Sequence, residues 1–486
     1  MATILDKKFL GVLVALGVAV AGGWWFYSAG SERRATVPVI VYLVDTLRAD
    51  RLGVYGYSKR GTSPNLDRLA ADSVVFTNAY APAPWTVPSV ISLVTSTFSC
   101  EHGVVTELQK IDPEQRTLAE RMSEANYFTM GRYGNHFVGP MTGLDRGFDI
   151  YQKKSSEYDD DMAGLVEELL VNRPEDRPFF LYVHTMEPHD PYNTPNEHLR
   201  VFGHVNVDQR AAAYEANIAY RRSIGEDPTQ ALPTGTLDTA QQVASASQAL
   251  VEQLDIIDLL YDASVHYADA NVADLIDRLR RLDIWDTAIF VFLSDHGEEF
   301  YDHGTWFHEQ SLYEEVARVP LIIHFPHDEF GGSRVEATVS LVDVMPTLFD
   351  YIGRPDLCAG CRGTSLLRLI GHSVGTDARS REIAVRDNRR LHDPTTIEKR
   401  GNLNVAVREA DWKAIWNRDN GSIELYDLSV DPFETSDQSA IEPELAARLL
   451  VRAQEWYAEC SANAFVPVDT VLDEETIRQL RSLGYL

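Results

Sequence analysis

Basic charge is what this 486-residue chain has least of: Lys and Arg total 44 against 73 Asp and Glu, for a formal charge of −29. A surface of that sign repels polyanions, so nucleic acid is not an expected partner. Cysteine is sparse too, with only Cys100, Cys358, Cys361 and Cys460, an even number that fits an oxidising compartment. Cys358-Ala359-Gly360-Cys361 has no second C-x-x-C to complete a zinc site, and no strand-helix pattern surrounds it as a thioredoxin-like redox role requires. A small surface loop closed by a disulfide is the expectation there. Internal repeats and low-complexity tracts are absent.

One uncharged run, close to the N-terminus, has the composition of a membrane span. Phe9 to Tyr27 has 19 residues and no charge, close to the roughly 20 that cross a bilayer as a helix. Lys7 and Lys8 precede it and Trp24, Trp25, Phe26 and Tyr27 close it, as in a signal anchor with a cytoplasmic N-terminus; Arg33 and Arg34 on the far side oppose that orientation. A cleaved signal peptide ending at Ala19-Val20-Ala21 is the alternative, and both place the body outside the cytoplasm. The length exceeds what one core usually supports. The expected division is an anchor and linker over 1–35, a catalytic domain over 36–350 and a smaller subdomain over 351–486.

Apolar, β-branched runs without alternation recur at Val37 to Val44, Phe179 to Val183, Ala288 to Leu293 and Leu321 to Phe325, as in strands covered on both faces. Helical stretches lie between them: Pro64 to Ala71 with Ser63 as N-cap, Thr117 to Ala125, and Glu252 to Arg281. The alternation predicts an α/β fold, a mostly parallel central sheet sandwiched by helices. Val201 to Ser247 has weak periodicity and reads as a long surface insertion. Beyond Asp350 come shorter strands, Val405 to Arg408 and Trp412 to Trp416, and a helix from Glu442 to about Tyr457, as in a small α+β subdomain.

Three polar clusters follow buried strands: Asp45, His189 and Asp295-His296. In an open parallel sheet the carboxyl ends of strands share one edge, where ligands bind. Asp45, Asp295 and His296 offer oxygens and an imidazole nitrogen suited to one divalent cation. Thr86 begins Thr-Val-Pro-Ser-Val, with Pro88 placed for the first turn of a helix running through Leu93. Its hydroxyl is then either an N-cap or, beside a metal that lowers its pKa, a nucleophile facing free amide N-H groups.

These residues carry a resemblance. Val41 to Asp50 (Val-Tyr-Leu-Val-Asp-Thr-Leu-Arg-Ala-Asp), Gly53 to Tyr57, Thr62 to Ala70, the Thr86 segment, Phe179 to Tyr192, Ser294 to Glu298 and Ser311 to Glu315 resemble, in order and spacing, the sulfatase family of the alkaline phosphatase superfamily. Trp412-Lys413 and Glu424 to Leu428 before Asp431-Pro432 are similar to its C-terminal subdomain. The resemblance runs from about residue 37 to the end. It implies Asp45, Thr86, Asp295 and His296 as ligands of one divalent metal ion (Ca, Mn, Mg or Zn), Thr86 as nucleophile as well, and His189 as a contact to the transferred group. His308 falls where relatives place a basic residue near that group or its leaving oxygen, with His303 the competing choice; either imidazole can protonate a leaving alkoxide near neutral pH.

The departures are chemical. Sulfatases carry Cys or Ser in a C/S-x-P-x-R motif that becomes formylglycine; this chain has Thr86, which cannot form that aldehyde, and Val90 at the Arg position. Gly134-Asn135-His136-Phe137 replaces a G-K-W-H segment, and Thr46 stands where many members have a metal-binding Asp. A threonine ester must be resolved by a second attack from water or another acceptor, which suits phosphoryl chemistry; threonine here is what phosphoethanolamine and phosphoglycerol transferases of the superfamily use. The expectation is a hydrolase or transferase acting on a phosphate or sulfate ester, lipid or glycan, from a single-pass cell-membrane anchor with its catalytic domain periplasmic or extracellular. The alternatives are an inactive scaffold and a two-metal phosphatase drawing on His184, His303 and His308.

Overall fold

The computed structural model describes residues 34–469 except 35, 107, 155–160, 193, 224–239, 310, 371–380, 387–403 and 463. The apolar segment Phe9 to Tyr27 lies outside these residues; among the described residues no helix is long and apolar enough to cross a membrane.

A nine-stranded sheet forms the centre, ordered Arg334–Val335, Val74–Tyr80, Arg318–His324, Ile289–Ser294, Val39–Val44, Phe179–Thr185, Phe128–Tyr133 and Ile150–Lys153, with Val339–Ser340 also on the Val74–Tyr80 strand. The middle strand Val39–Val44 shows why. Alternate side chains point to opposite faces: Val39, Val41 and Leu43 enter one core, while Ile40, Tyr42 and Val44 enter the other. A segment apolar on both faces gains most when helices cover both, which is the parallel-sheet arrangement. Helices Thr86–Thr95, Leu118–Glu124 and Val344–Tyr351 lie over the first face, and Pro64–Ala71, Met162–Val171 and Leu254–Arg281 over the second. The sheet is mostly parallel, as expected from sequence, but Arg318–His324 runs antiparallel to both neighbours. Its apolar run gave no cue to direction.

Two local expectations are corrected. Ser63 is the N-cap residue of Pro64–Ala71 but makes no side-chain cap; its hydroxyl accepts from the Gly53 N-H at 2.8 Å. The cap comes from Asp269 of the long helix, whose carboxylate accepts from the N-H groups of Asn65 and Leu66 at 3.0 and 2.7 Å. The described residues of the segment 201–247 are largely helical, in Asn196–Phe202, Val207–Ser223 and Ala240–Val251. Buried Ala213, Ala216 and Tyr220 join the core of the second face, so small residues there serve close helix packing.

At the C-terminal end, Arg381–Arg386, Asn404–Glu409, Trp412–Asn417 and Ile423–Asp427 form an antiparallel sheet. The helix Pro443–Ala462 packs on it through Ala446, Leu449 and Ala453. Two devices join this unit to the rest. Lys413, fully buried, pairs with Glu314 and Glu434, each at 2.9 Å, and Cys460 is disulfide-bonded to Cys100, 360 residues away. Cys358 pairs with Cys361, the closed loop expected. A cross-link as long in sequence as Cys100–Cys460 restricts the unfolded chain strongly. Replacing Cys100 and Cys460 together by Ala should lower unfolding stability by roughly 2–5 kcal/mol in urea titrations without reductant, and an unshifted midpoint would count against the cross-link as a stabilising element.

Candidate active site

Strand register assembles the site. Val44 pairs with Thr185 on one side and Ser294 on the other, so Asp45 and Asp295, each one residue beyond, leave adjacent strands at the same level. Phe179–Thr185 runs two residues longer than the sequence suggested, and His184 lies within it, paired in register with Tyr133. The chain after Tyr133 therefore delivers Asn135 to the same edge. All four side chains are buried.

Each carboxylate has one oxygen held by the fold. Asp45 Oδ2 accepts from Asn135 Nδ2 at 2.8 Å and faces His184 Nε2 at 3.0 Å, while Asp295 Oδ1 accepts from the N-H groups of Thr46 and His296 at 3.3 and 3.0 Å. The other oxygens face the Thr86 hydroxyl, for Asp45, and the His296 ring, for both. Asp45 Oδ1 is 3.4 Å from Thr86 Oγ1, and His296 Nε2 is 3.3 Å from it. His296 Nε2 also lies 3.5 Å from Asp45 Oδ1 and from Asp295 Oδ2. His296 Nδ1 sits 2.9 Å from the Gly297 carbonyl; donating there fixes the tautomer that leaves the Nε2 lone pair facing the two carboxylates. Thr86 opens the helix Thr86–Thr95, whose N-cap is Trp85. The threonine is thus not the cap, and its hydroxyl is turned inward at the positive end of the helix.

The buried carboxylates differ in charge state. Burial opposes ionisation of both carboxyls, yet at Asp45 the His184 hydrogen bond and the imidazoles of His189, His184 and His296 prevail and hold it well below the usual range. Asp295 is pushed well above that range by burial and by Asp45. Burial lowers His296, so its imidazole is neutral. Asp295 Oδ2 and the buried Thr46 hydroxyl have no hydrogen-bond partner among the described residues. Two buried carboxylates, a neutral imidazole and orphaned oxygens fit a divalent cation; Asp45, His184 and Asp295 by themselves bring ligand atoms within 4.8 Å of one another.

The remaining histidines divide. His308 Nδ1 lies 2.9 Å from Glu298 Oε1, and its ring centre is 4.6 Å from that of His296 and 5.3 Å from that of His189. Thus His308 and His189 join the site. His303 does not: its Nδ1 is 2.6 Å from Glu315 Oε1 and its Nε2 3.1 Å from the Glu434 carbonyl. With His184 on Asp45, His308 on Glu298 and His303 elsewhere, these three histidines do not converge on a second catalytic metal position among the described residues. His184 was named from sequence only for the two-metal alternative and Asn135 only as part of the segment that replaces G-K-W-H; the structure makes both supports of Asp45. Lys153, from the strand beside Tyr133, reaches His136 Nδ1 at 3.0 Å, and burial together with Lys153 pushes His136 down to about 4.

Comparison with known proteins identifies the family. The model of the sulfatase family matches residues 38–354. The chain belongs to the sulfatase family. It is a sulfatase-like ester hydrolase, and residues 302–451 match the C-terminal region of N-sulphoglucosamine sulphohydrolase. N-acetylglucosamine-6-O-sulfatase of Bacteroides thetaiotaomicron is 24% identical over 465 residues, covering 82% of each chain; choline-sulfatase of Rhizobium meliloti is 25% identical, covering 82% of this chain and 81% of that one. Among solved structures, one bound to its substrate D-glucosamine-2-N,6-O-disulfate superposes with a TM-score of 0.67 at 22% identity, over 87% of this sulfatase and 98% of that chain. Phosphonate monoester hydrolase of Agrobacterium radiobacter gives 0.66 at 20% identity, over 90% and 100%.

In this sulfatase Gly297 is required by a close approach: a Cβ there would fall 1.9 Å from the Glu315 carbonyl oxygen. Backbone cannot yield as a flexible side chain does. Gly297→Ala should cost roughly 2–4 kcal/mol in chemical denaturation and displace His296; wild-type stability in that variant would refute the packing argument.

Proposed function

We propose that this sulfatase-family enzyme cleaves a sulfate or phosphate ester outside the cytoplasm, with Thr86 as nucleophile and Asp45, Thr86, Asp295 and His296 as the ligands of one divalent cation. The observation that carries the reading is the buried Thr86 hydroxyl 3.4 Å from Asp45 and 3.3 Å from His296, beside an Asp295 oxygen without a partner. A bound cation there would make the hydroxyl more acidic and neutralise oxygens of the ester. Asn135 and His184 hold Asp45 so that Oδ1, not Oδ2, faces the hydroxyl and takes its proton. Thr86 Oγ1 forms the bond to sulfur or phosphorus, and the ester oxygen leaves with the electron pair. His308, its Nδ1 anchored on Glu298, supplies the leaving oxygen with a proton from Nε2, and His189 contacts the transferred group.

Threonine sets the second half of the reaction. Its oxygen carries no adjacent hydroxyl through which to expel the group, so water or another acceptor must attack sulfur or phosphorus again. That favours phosphate esters and transfer to an acceptor beside simple hydrolysis. The names of the relatives point to anionic esters of small sugars and choline; one structural neighbour is named for a phosphonate monoester. Export is supported by Phe9 to Tyr27 and by two disulfides, and with the segment retained as an anchor the site works at a membrane.

Turnover of aryl sulfates and aryl phosphate mono- and diesters should be metal-dependent, and Thr86→Ala should lower it by at least roughly a hundredfold while Thr86→Ser keeps part of it. Equal rates in wild type and Thr86→Ala would sink the nucleophile. Chelation should abolish turnover and lower the melting temperature, since an ion bound only by the folded state stabilises it; a chelated enzyme of full activity and unchanged melting would remove the cation from the proposal.

A further inference from the structure

A second group of metal-ligating side chains lies apart from the histidines and carboxylates around Thr86. Glu299, His303 and Glu315 bring one ligand atom each to within 4.8 Å of one another. Each comes from a different local element: Glu299 from the short strand Glu299–Phe300, His303 from the turn that follows, and Glu315 from the helix Glu314–Ala317. Glu299 is completely buried, and its Oε1 has no hydrogen-bond partner among the described residues, while Oε2 accepts from Thr305 at 2.5 Å. A fully buried carboxylate oxygen left without a donor carries its full desolvation cost unless a ligand meets it.

The imidazole is prepared for the same ligand. His303 Nε2 lies 3.1 Å from the Glu434 carbonyl, so the Nε2-H donates outward and Nδ1, 2.6 Å from Glu315 Oε1, faces the carboxylates. A ring N-H held by a backbone carbonyl behind the ligating nitrogen is how proteins orient metal-bound histidine. The ring is also stacked on Tyr313, centroids 3.6 Å apart, which fixes its plane. Burial and the neighbouring Glu315 charge push the Glu299 carboxyl up to about 7, while against its burial the hydrogen bond and charge of Glu315 push His303 up to about 9.

We propose that Glu299, His303 and Glu315 form a second, structural cation site. Two carboxylates and one imidazole suit Zn2+ or Mn2+ better than Ca2+, which takes six to eight oxygens. With bonds of about 2.1 Å, the ion would displace the shared proton between His303 and Glu315 and satisfy the orphaned Glu299 oxygen. From that position it would tie the segment running from Glu298 to His308 to the helix Glu314–Ala317 and, through the Glu434 carbonyl, to the C-terminal unit. The ion would thus hold the segment that carries His308 without touching the ester.

The test is the metal content of the full chain, stripped with chelator, reloaded with Zn2+ or Mn2+ and measured by plasma mass spectrometry after gel filtration. Wild type should hold about two ions per chain, Asp295→Asn and Glu299→Gln about one each, and the double variant none. Anomalous diffraction from the wild-type chain should place one of the two ions against His303 Nδ1, an arm that needs no substitution. A wild-type chain holding a single ion, no anomalous peak at His303, or a folded Glu299→Gln chain retaining both ions would each overturn the proposal.

Discussion

Two buried carboxylates of like charge, Asp45 and Asp295, set the terms for the rest of this molecule. They are brought together because Val39–Val44 and Ile289–Ser294 pair in parallel with Val44 opposite Ser294. A slip of one residue would turn every side chain of a strand to the other face and strip one of the two hydrophobic cores. The register is therefore secured by burial of apolar surface far larger than the electrostatic cost of the site. The fold in turn assigns the oxygens: Asn135 and His184 occupy one oxygen of Asp45, and the N-H groups of Thr46 and His296 one oxygen of Asp295. What remains is an inward-facing pair whose like charge is relieved by a proton on Asp295 or, under the proposed reading, by a cation. Thr46, a β-branched residue at φ 56°, is held in a left-handed conformation to deliver that N-H. Its carbonyl accepts from the Tyr261 hydroxyl at 2.7 Å, one of the contacts that sustain the strain.

The chain after Ser294 is governed by close approach and by ion pairing. Gly297 lets the Glu315 backbone reach the turn, and their main chains bond where Glu298 N-H meets the Glu315 carbonyl at 3.1 Å. Arg48, just beyond the first strand and almost wholly buried, binds Asp50, Asp302 and the Glu298 carbonyl. That guanidinium is committed to holding the Glu298 to Asp302 segment and not to an anionic substrate. Glu298 itself takes His308 on one oxygen and the Tyr192 hydroxyl at 3.2 Å on the other. So the histidine next to the site is oriented by a carboxylate whose own position depends on residues from three parts of the sequence.

The strands were legible because being apolar on both faces is a one-dimensional property; direction is not, and Arg318–His324 shows the difference. Asp45, Thr86, Asp295 and His296 were legible because polar residues that end apolar runs stand out, and the structure gathers all four. His184 stood out only as a candidate for the two-metal alternative, since a lone polar residue near the end of Phe179–Thr185 does not reveal its partner, Asp45, until the strand neighbours are known. Asn135 was visible as part of the segment that replaces G-K-W-H, and only its pairing geometry reveals that it supports Asp45. The Asp269 cap on Pro64–Ala71 joins residues more than 200 positions apart, beyond any local pattern. Helices in the 201–247 segment were hidden because Ala-rich surfaces pack closely without producing a strong apolar stripe.

The substitution of Val90 for the Arg of the family motif has a structural reading that bears on the chemistry. Val90 is fully buried among Val87, Ile91 and Val94 in the core of the first sheet face. A guanidinium at that position would need either a partner or a path to the site, and the surrounding apolar packing supplies neither. Under the proposed reading, positive charge for the ester oxygens must therefore come from elsewhere along the sheet edge. The helix N-terminus at Thr86 contributes part of it, and His189 and His308 stand over the opposite side. Lys153 on His136 adds a cation to the segment that also delivers Asn135. An anion pocket built from a helix end and imidazoles carries less fixed charge than one with arginine in the nucleophile helix, and under the proposed reading it suits an ester bearing a single negative charge better than a doubly charged one.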